Sequence, residues 1–326
     1  KEDVEYFNLT PGNYTFQVQA VDRDLNASEL ATVRITIPTL FYTTAGFLVP
    51  IGGAGLLLLG ALILLAIAFV KYRRRISDYQ KAAVAELRDA REMQLSLLPA
   101  AAPEIEGFDI AGVCEPATEV GGDYFTYLWL DDEKTQLAIV LMDVTGHGMK
   151  AAATTFLANG MLQSESRSGS PTDKIMAKMH QSLREILPKR AFVAMSFAHI
   201  NLCEKTLTYF NAALPEPILL HENKAVELHI QSTVPLGSPL RAEYVGTTVK
   251  LHSGDVLLLF SDGFPEARDA SGQEYEKVRL GVLLSSLMAQ QKSAQAWVKA
   301  ILADVQAFTA PDEPEDDITI VVVKAL

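Results

Sequence analysis

Cysteine is scarce in this 326-residue chain. The two present, Cys114 and Cys203, stand in apolar surroundings and are expected as buried free thiols, which argues against a disulfide framework. Neither a G-x-G-x-x-G pattern nor a P-loop occurs, so nothing suggests nucleotide binding. Positive charge is also short: 28 Lys and Arg against 40 Asp and Glu give a net charge of −12. That balance argues against nucleic acid as a partner. The deficit is local, because residues 99–326 hold 18 basic and 30 acidic groups and so carry the whole −12. An acidic domain attracts cations. No signal-peptide pattern opens the chain, so residue 1 is expected to follow either processing or a longer N-terminal part.

Charge itself is missing from Gly46 to Val70, 25 residues in a row. That length suffices to cross a bilayer with some tilt. Lys71, Arg73, Arg74 and Arg75 follow at once, while residues 1–45 hold only three basic groups. By the positive-inside rule the C-terminal side is expected in the cytoplasm, making a single-pass protein of the plasma membrane. Residues 71–98 lack Gly and Pro and are rich in good helix formers, ending at Pro99. Ile76, Ala83, Ala90 and Leu97 recur every seven residues, but Glu86 interrupts the companion series of Tyr79 and Met93. The segment reads either as a coiled coil joining a homodimer or as a solvated helix packed on its own domain. Ahead of the apolar run, residues 1–40 alternate in strand fashion through Tyr14, Phe16 and Val18 and again through Val33, Ile35 and Ile37, with a turn over Asp22–Ser28. Forty such residues cannot bury a core alone. The stretch LTPGNYTFQVQAVDRDLNASE resembles the β-sandwich module that often ends the extracellular sensor of bacterial receptors.

From about Pro103 to Leu326, apolar strand-like runs alternate with helical stretches near 149–163, 172–187, 276–288 and 293–308. Strands are expected over 124–130, 137–142, 191–201, 207–211, 218–221, 226–231, 243–250, 256–260 and 318–323. Runs of strands broken by helix pairs indicate an α+β fold with antiparallel sheets. Acids stand at the ends of four of these strands: Asp143 closes Leu137–Met142, Asp262 follows Val256–Phe260, Asp123 precedes Tyr124, and Asp316-Asp317 precede Ile318. A carboxylate at a buried strand end is costly without a partner. No Cys or His set with zinc spacing accompanies them, so the ligand chemistry is all oxygen and suits Mg²⁺ or Mn²⁺.

The motifs EVGGDYF, LMDVTGHG, VPLG, GDVLLLFSDGFPEARD and DDITIVVV, in this order over some 210 residues, look like the bacterial PPM-type serine/threonine phosphatases of the SpoIIE/RsbU group. The helix end AREMQLSLLP is similar to the segment that leads into that domain. The resemblance implies an αββα sandwich: two antiparallel sheets flanked by helix pairs, with two Mn²⁺ or Mg²⁺ ions at one end. It also implies that Asp143 bridges the ions with the Val144 carbonyl beside it, and that Asp123, Asp262 and Asp316 are further ligands, Asp143 and Asp262 forming the catalytic centre. Asp316 is preferred to Asp317 because it stands three residues before Thr319. Asp317, Gly122 and His147 are accessory candidates. His147 lies four residues after Asp143 rather than two, so it reads as an acid or as a turn residue. Where many relatives carry Asn-Ala-Gly-His-x-Pro, this chain has Asn211-Ala212-Ala213-Leu214-Pro215. The implied partner is a phosphorylated regulatory protein, a STAS-type anti-sigma-factor antagonist. A catalytically silent signalling module and a hydrolase of small phosphate esters are the competing readings.

Overall fold

A computed structural model describes residues 4–326 apart from 41–44, 119, 147, 223, 227, 229, 230, 232, 276, 291, 312 and 313. The chain divides into two units, residues 1–81 and 82–326.

In the first unit β1 (Gly12–Val18) and β2 (Ala31–Ile37) pair antiparallel, with Tyr14 opposite Ile35. The turn between them is held by Asp22, whose Oδ1 accepts from the N–H groups of Asp24 and Asn26. Helix α1 (Ala45–Leu97) has a first half long and apolar enough to span a bilayer, and its apolar window is unburied by protein. Leu57 and Leu65 there are 78% and 71% exposed.

The second unit has two five-stranded sheets. One runs β10 (Thr247–Lys250), β7 (Thr206–Ala212), β6 (Val193–Asn201), β5 (Gln136–Val144), β4 (Tyr124–Trp129). The other runs β3 (Phe108–Glu115), β12 (Ile318–Ala325), β11 (Val256–Phe260), β8 (Ile218–His221), β9 (Lys224–Val226). All pairings are antiparallel. Strand alternation makes three cores from these two sheets. Leu137, Ile139 and Leu141 of β5 meet Leu257, Leu259, Val321 and Val323 between the sheets. The other face of β5, Ala138, Val140 and Met142, packs under α2 (Met149–Ser166) and α3 (Thr172–Ile186). The other face of the second sheet, with Leu258 and Val322, packs under α4 (Lys277–Ala289) and α5 (Ala294–Thr309). Helices dock because their apolar residues recur at helical spacing, as in Ile175, Met179 and Leu183 of α3. Each such fully buried aliphatic side chain contributes about 1.5–3 kcal/mol. The expected αββα sandwich is what forms.

Several local expectations are corrected. β3 has no counterpart among the expected strands. The strand expected over 243–250 begins only at Thr247, because Tyr244 turns inward and its hydroxyl bonds His180 Nδ1 and the Val234 carbonyl. The strand expected over 226–231 ends at Val226, and 227, 229 and 230 lie outside the described residues. Cys203 is exposed rather than buried, since it sits in the β6–β7 hairpin turn. Burial pushes the Cys114 thiol far up. On the last part of α1, Leu87, Ala90, Arg91, Gln94 and Leu97 are the shielded positions, one helical face, and Leu97 packs on the core beneath α2 and α3. That end of the helix lies on its own domain.

Candidate metal centre

Strand register decides where the acids meet. Tyr124 is opposite Met142, so Asp123, just before β4, falls beside Asp143 in β5. In the other sheet Phe260 is opposite Ile320, which brings Asp262, just after β11, to Asp316, just before β12. Thr319 ties the two pairs together, its Oγ1 donating to Asp123 Oδ2 across the sandwich at 2.6 Å. Four acids from two sheets therefore share one end of the domain.

Their electrostatics record the crowding. Burial and then the repulsion of Asp262, Asp316, Asp317 and Glu266 push Asp143 up to about 7. Asp123, 3% exposed, is raised well above the usual carboxylate range by burial and by Asp143, with hydroxyls of Ser261 and Thr319 opposing. Asp262 is raised by burial, Asp316 and Glu266. What moves all three is desolvation and like charge, opposed at Asp123 and Asp262 by neutral donors alone. Like charges held together in this way call for a divalent cation. An all-carboxylate set with a backbone carbonyl, Val144, next to Asp143 fits hard ions such as Mg²⁺ and Mn²⁺. No three of these acids have oxygens within 4.8 Å of one another, so the set is spread, not gathered around one point.

The neighbouring Asp317 plays a different part. It is buried, and its carboxylate accepts from three backbone N–H groups: Ala117 at 2.8 Å, Gly122 at 2.6 Å and Asp123 at 3.3 Å. It fastens the loop ahead of β4 to the start of β12. This arrangement explains two glycines. A Cβ on Gly121 would collide with the Asp317 carboxylate, and one on Gly122 would lie 2.6 Å from the Val144 carbonyl oxygen. Gly122 thus keeps that carbonyl open. On the far side, Thr155 of α2 donates to the Gly122 carbonyl at 2.9 Å.

Of the sequence-predicted residues, Asp123, Asp143, Val144, Asp262 and Asp316 come to this one end, with Gly122 and Asp317 supporting them. His147 lies outside the described residues. Sequence reasoning missed Gln94 and Glu266. Gln94 is 3% exposed, and its amide donates from Nε2 to the Gly121 carbonyl at 2.9 Å and accepts at Oε1 from the Gly121 N–H at 3.1 Å. Helix α1 thereby grips the loop that carries Asp123. The one available signal is a polar residue on the apolar stripe 87-90-94-97. Glu266, exposed, follows Asp262 by one helical turn, and its N–H bonds the Asp262 carbonyl at 2.9 Å. A cleft of about 760 Å³ opens next to the acids, lined by Arg91, Glu115, Thr118, Gln306 and Asp316 among others. It brings a cation of α1 to the edge of the site.

Comparison with known proteins follows the same outline. The family described as Stage II sporulation protein E (SpoIIE) matches residues 133–326. The chain is 27% identical over 245 residues to "Phosphoserine phosphatase RsbU" of Bacillus subtilis, covering 73% of this chain and 70% of that protein. Among solved structures, the SiaA-PP2C domain of Pseudomonas aeruginosa superposes with a TM-score of 0.65 at 20% identity, over 75% of this chain and 98% of that one. The PP2C phosphatase domain of SpoIIE from Bacillus subtilis, solved with a fragment of its regulatory domain, gives 0.59 at 17% identity, over 67% and 63%. At such identities the two structures speak for the fold, which is PP2C-like.

Proposed function

Since the chain belongs to the SpoIIE family, we propose that it is a metal-dependent protein serine/threonine phosphatase that removes phosphate from a regulatory protein of the STAS-type antagonist class. The observation that carries the reading is the convergence of Asp123, Asp143, Asp262 and Asp316 from two sheets, with Asp143 raised to about 7 by burial and by neighbouring carboxylates. In this reading Asp123, Asp143, the Val144 carbonyl, Asp262 and Asp316 would together hold two divalent ions. Mn²⁺ or Mg²⁺ bound there would supply an activated water and neutralise the phosphoryl oxygens.

The chain's own part is positional. Asp317, by holding three N–H groups of the loop, fixes Asp123 at its place, and Gly122 keeps the Val144 carbonyl free to face an ion. Thr319 donates to Asp123 Oδ2 and so orients this carboxylate. Arg91 supplies a positive charge in the cleft through which a phosphorylated side chain approaches. Residues 46–70 anchor the protein in the plasma membrane, residues 1–40 end an extracytoplasmic sensor, and the phosphatase domain faces the cytoplasm. Residues 71–98 carry the signal, as a homodimer through the part of the helix ahead of the face that lies on the domain.

The test compares phosphate release from a phosphoserine STAS-type protein and from an aryl phosphate, with Mn²⁺, with chelator and in Asp143→Asn. Metal-dependent turnover that favours the phosphoprotein and vanishes in the variant is expected. Turnover of the small ester alone would establish an ester hydrolase instead. No turnover from folded protein on either substrate would leave the silent signalling module.

A further inference from the structure

At the end of the second sheet opposite the acids, His221, His252 and Asp255 form a compact donor set. Among the described residues this is the one group of three His, Cys, Asp or Glu side chains whose ligand atoms all lie within 4.8 Å of one another. Asp255 stands immediately before β11 and Asp262 two residues beyond its end, seven residues on from Asp255. At roughly 3.3 Å per residue the two ends are about 23 Å apart. This set is therefore separate from the candidate phosphatase centre.

Register builds it. Val256 of β11 is opposite Leu220 of β8, so the next positions outward, Asp255 and His221, face each other. His252 comes from the turn that leads into β11, where the Asp255 N–H bonds the His252 carbonyl at 3.0 Å. Asp255 is 3% exposed and rigidly placed: its carbonyl accepts from the Ala325 N–H at 2.9 Å, and its Oδ2 accepts from the His252 N–H at 2.8 Å. The two imidazoles stay accessible, with side chains 38% and 57% exposed, and their rings lie 5.0 Å apart.

From this geometry we infer that His221, His252 and Asp255 bind a zinc-class transition-metal ion. Two donor separations carry the argument: His221 Nδ1 lies 2.7 Å from Asp255 Oδ1, and His252 Nδ1 lies 3.6 Å from Asp255 Oδ2. Around tetrahedral zinc, bonds of about 2.0–2.1 Å set neighbouring donors roughly 3.3 Å apart. Each imidazole nitrogen thus lies within a few tenths of an ångström of that spacing from one Asp255 oxygen, and one donor atom from each of the three side chains falls within 4.8 Å of the others, so ring and carboxylate rotations suffice to gather three ligands and water takes the fourth place. Two imidazoles and one carboxylate favour Zn²⁺ over Mg²⁺, which prefers an all-oxygen octahedron. On binding, the proton that His221 Nδ1 shares with Asp255 moves to Nε2, and a doubly protonated ring releases one proton to solvent. The ion would staple the β8–β9 turn to the start of β11 and leave phosphatase chemistry untouched.

The experiment titrates Zn²⁺ alone into the full chain in detergent, with millimolar Mg²⁺ present to occupy the all-oxygen centre, and follows heat and melting temperature. One equivalent of Zn²⁺ bound with a rise in Tm is expected. His221→Gln and His252→Gln should each weaken binding at least about tenfold, and the double variant should abolish it, while Mn²⁺-dependent phosphate release stays at the level of the unsubstituted chain. His252 is exposed and His221 half-buried, and Gln at 221 keeps an amide donor for Asp255, so these variants fold. Absence of Zn²⁺ binding by the unsubstituted chain in Mg²⁺, or the same stoichiometry in the double variant, would overturn the inference.

Discussion

Replacing Asp143 by Asn should stabilise the metal-free protein while destroying its activity. Asp143 moves from an ordinary 3.8 to about 7 on folding. The folded chain therefore holds its proton more tightly than the unfolded chain. The sign follows: below about pH 4 both states are protonated and there is no penalty; the penalty grows as pH rises through the window to about 7 and is constant above it. By 1.36 kcal/mol per pH unit, the gap corresponds to about 4 kcal/mol at full strength. Sharing of the repulsion with Asp262 and Asp316 and the cost of burying an Asn amide reduce the gain to about 2 kcal/mol. For a domain of this size that raises Tm by about 4–8 °C. Thermal unfolding in chelator at pH 7.5 should show the difference, and at pH 4 the two melting curves should coincide. With Mn²⁺ the order reverses, because the ion stabilises only the protein that binds it. An Asn variant that melts below the unsubstituted protein in chelator, or a gain independent of pH, would refute the electrostatic account of the site.

Gln94→Ala leaves the buried N–H and carbonyl of Gly121 without partners, a cost of about 1–3 kcal/mol. A fall in Tm together with weaker Mn²⁺ activation is expected; an unchanged metal requirement would mean that α1 does not steady the Asp123 loop. Asp317→Asn retains one acceptor oxygen where three N–H groups now bond two, and should lower apparent Mn²⁺ affinity about 10–100-fold, read from metal titrations of activity. Arg91→Ala should raise KM for phosphoprotein about tenfold with kcat little changed, a split that steady-state kinetics resolves. Ala213 sits in the left-handed region at φ 67°, so Ala213→Gly should stabilise by about 0.5–1 kcal/mol, seen as a small rise in Tm.

The α+β class and the acids at strand ends were legible because both rest on local pattern, while the αββα layering came from the family resemblance. Unbroken apolar runs such as Leu137–Met142 name the central strands, and an acid at the end of each needs no long-range information. What escaped depends on contacts between distant segments. β3 alternates weakly, with Gly112 and Cys114 in it, and becomes a strand because β12 pairs along its whole length. Gly112 is required there by Phe125, against whose ring a Cβ would lie 2.7 Å away. Cys203 looked apolar in sequence but occupies a hairpin turn, a position set by the β6–β7 register. The triad of His221, His252 and Asp255 was invisible for the same reason: 31 residues part the histidines, and only the pairing of β8 with β11 brings them together.

The substitution in the Asn-Ala-Gly-His-x-Pro region shows how a departure from family pattern can leave the site standing. The buried Asn211 side chain closes the turn, donating from Nδ2 to the Leu214 carbonyl at 2.9 Å and accepting at Oδ1 from the Leu214 N–H at 3.0 Å. That pair of bonds replaces what a tight turn obtains from glycine, and it holds Ala213 in a conformation that costs an L-residue about 1–2 kcal/mol. Leu214, in the place of histidine, is 5% exposed and packs in the core between the sheets. A polar ring there would need a buried partner, whereas Leu contributes apolar burial that offsets the strained backbone next to it. The turn therefore holds its shape without either family residue, and no proposed metal ligand depends on it.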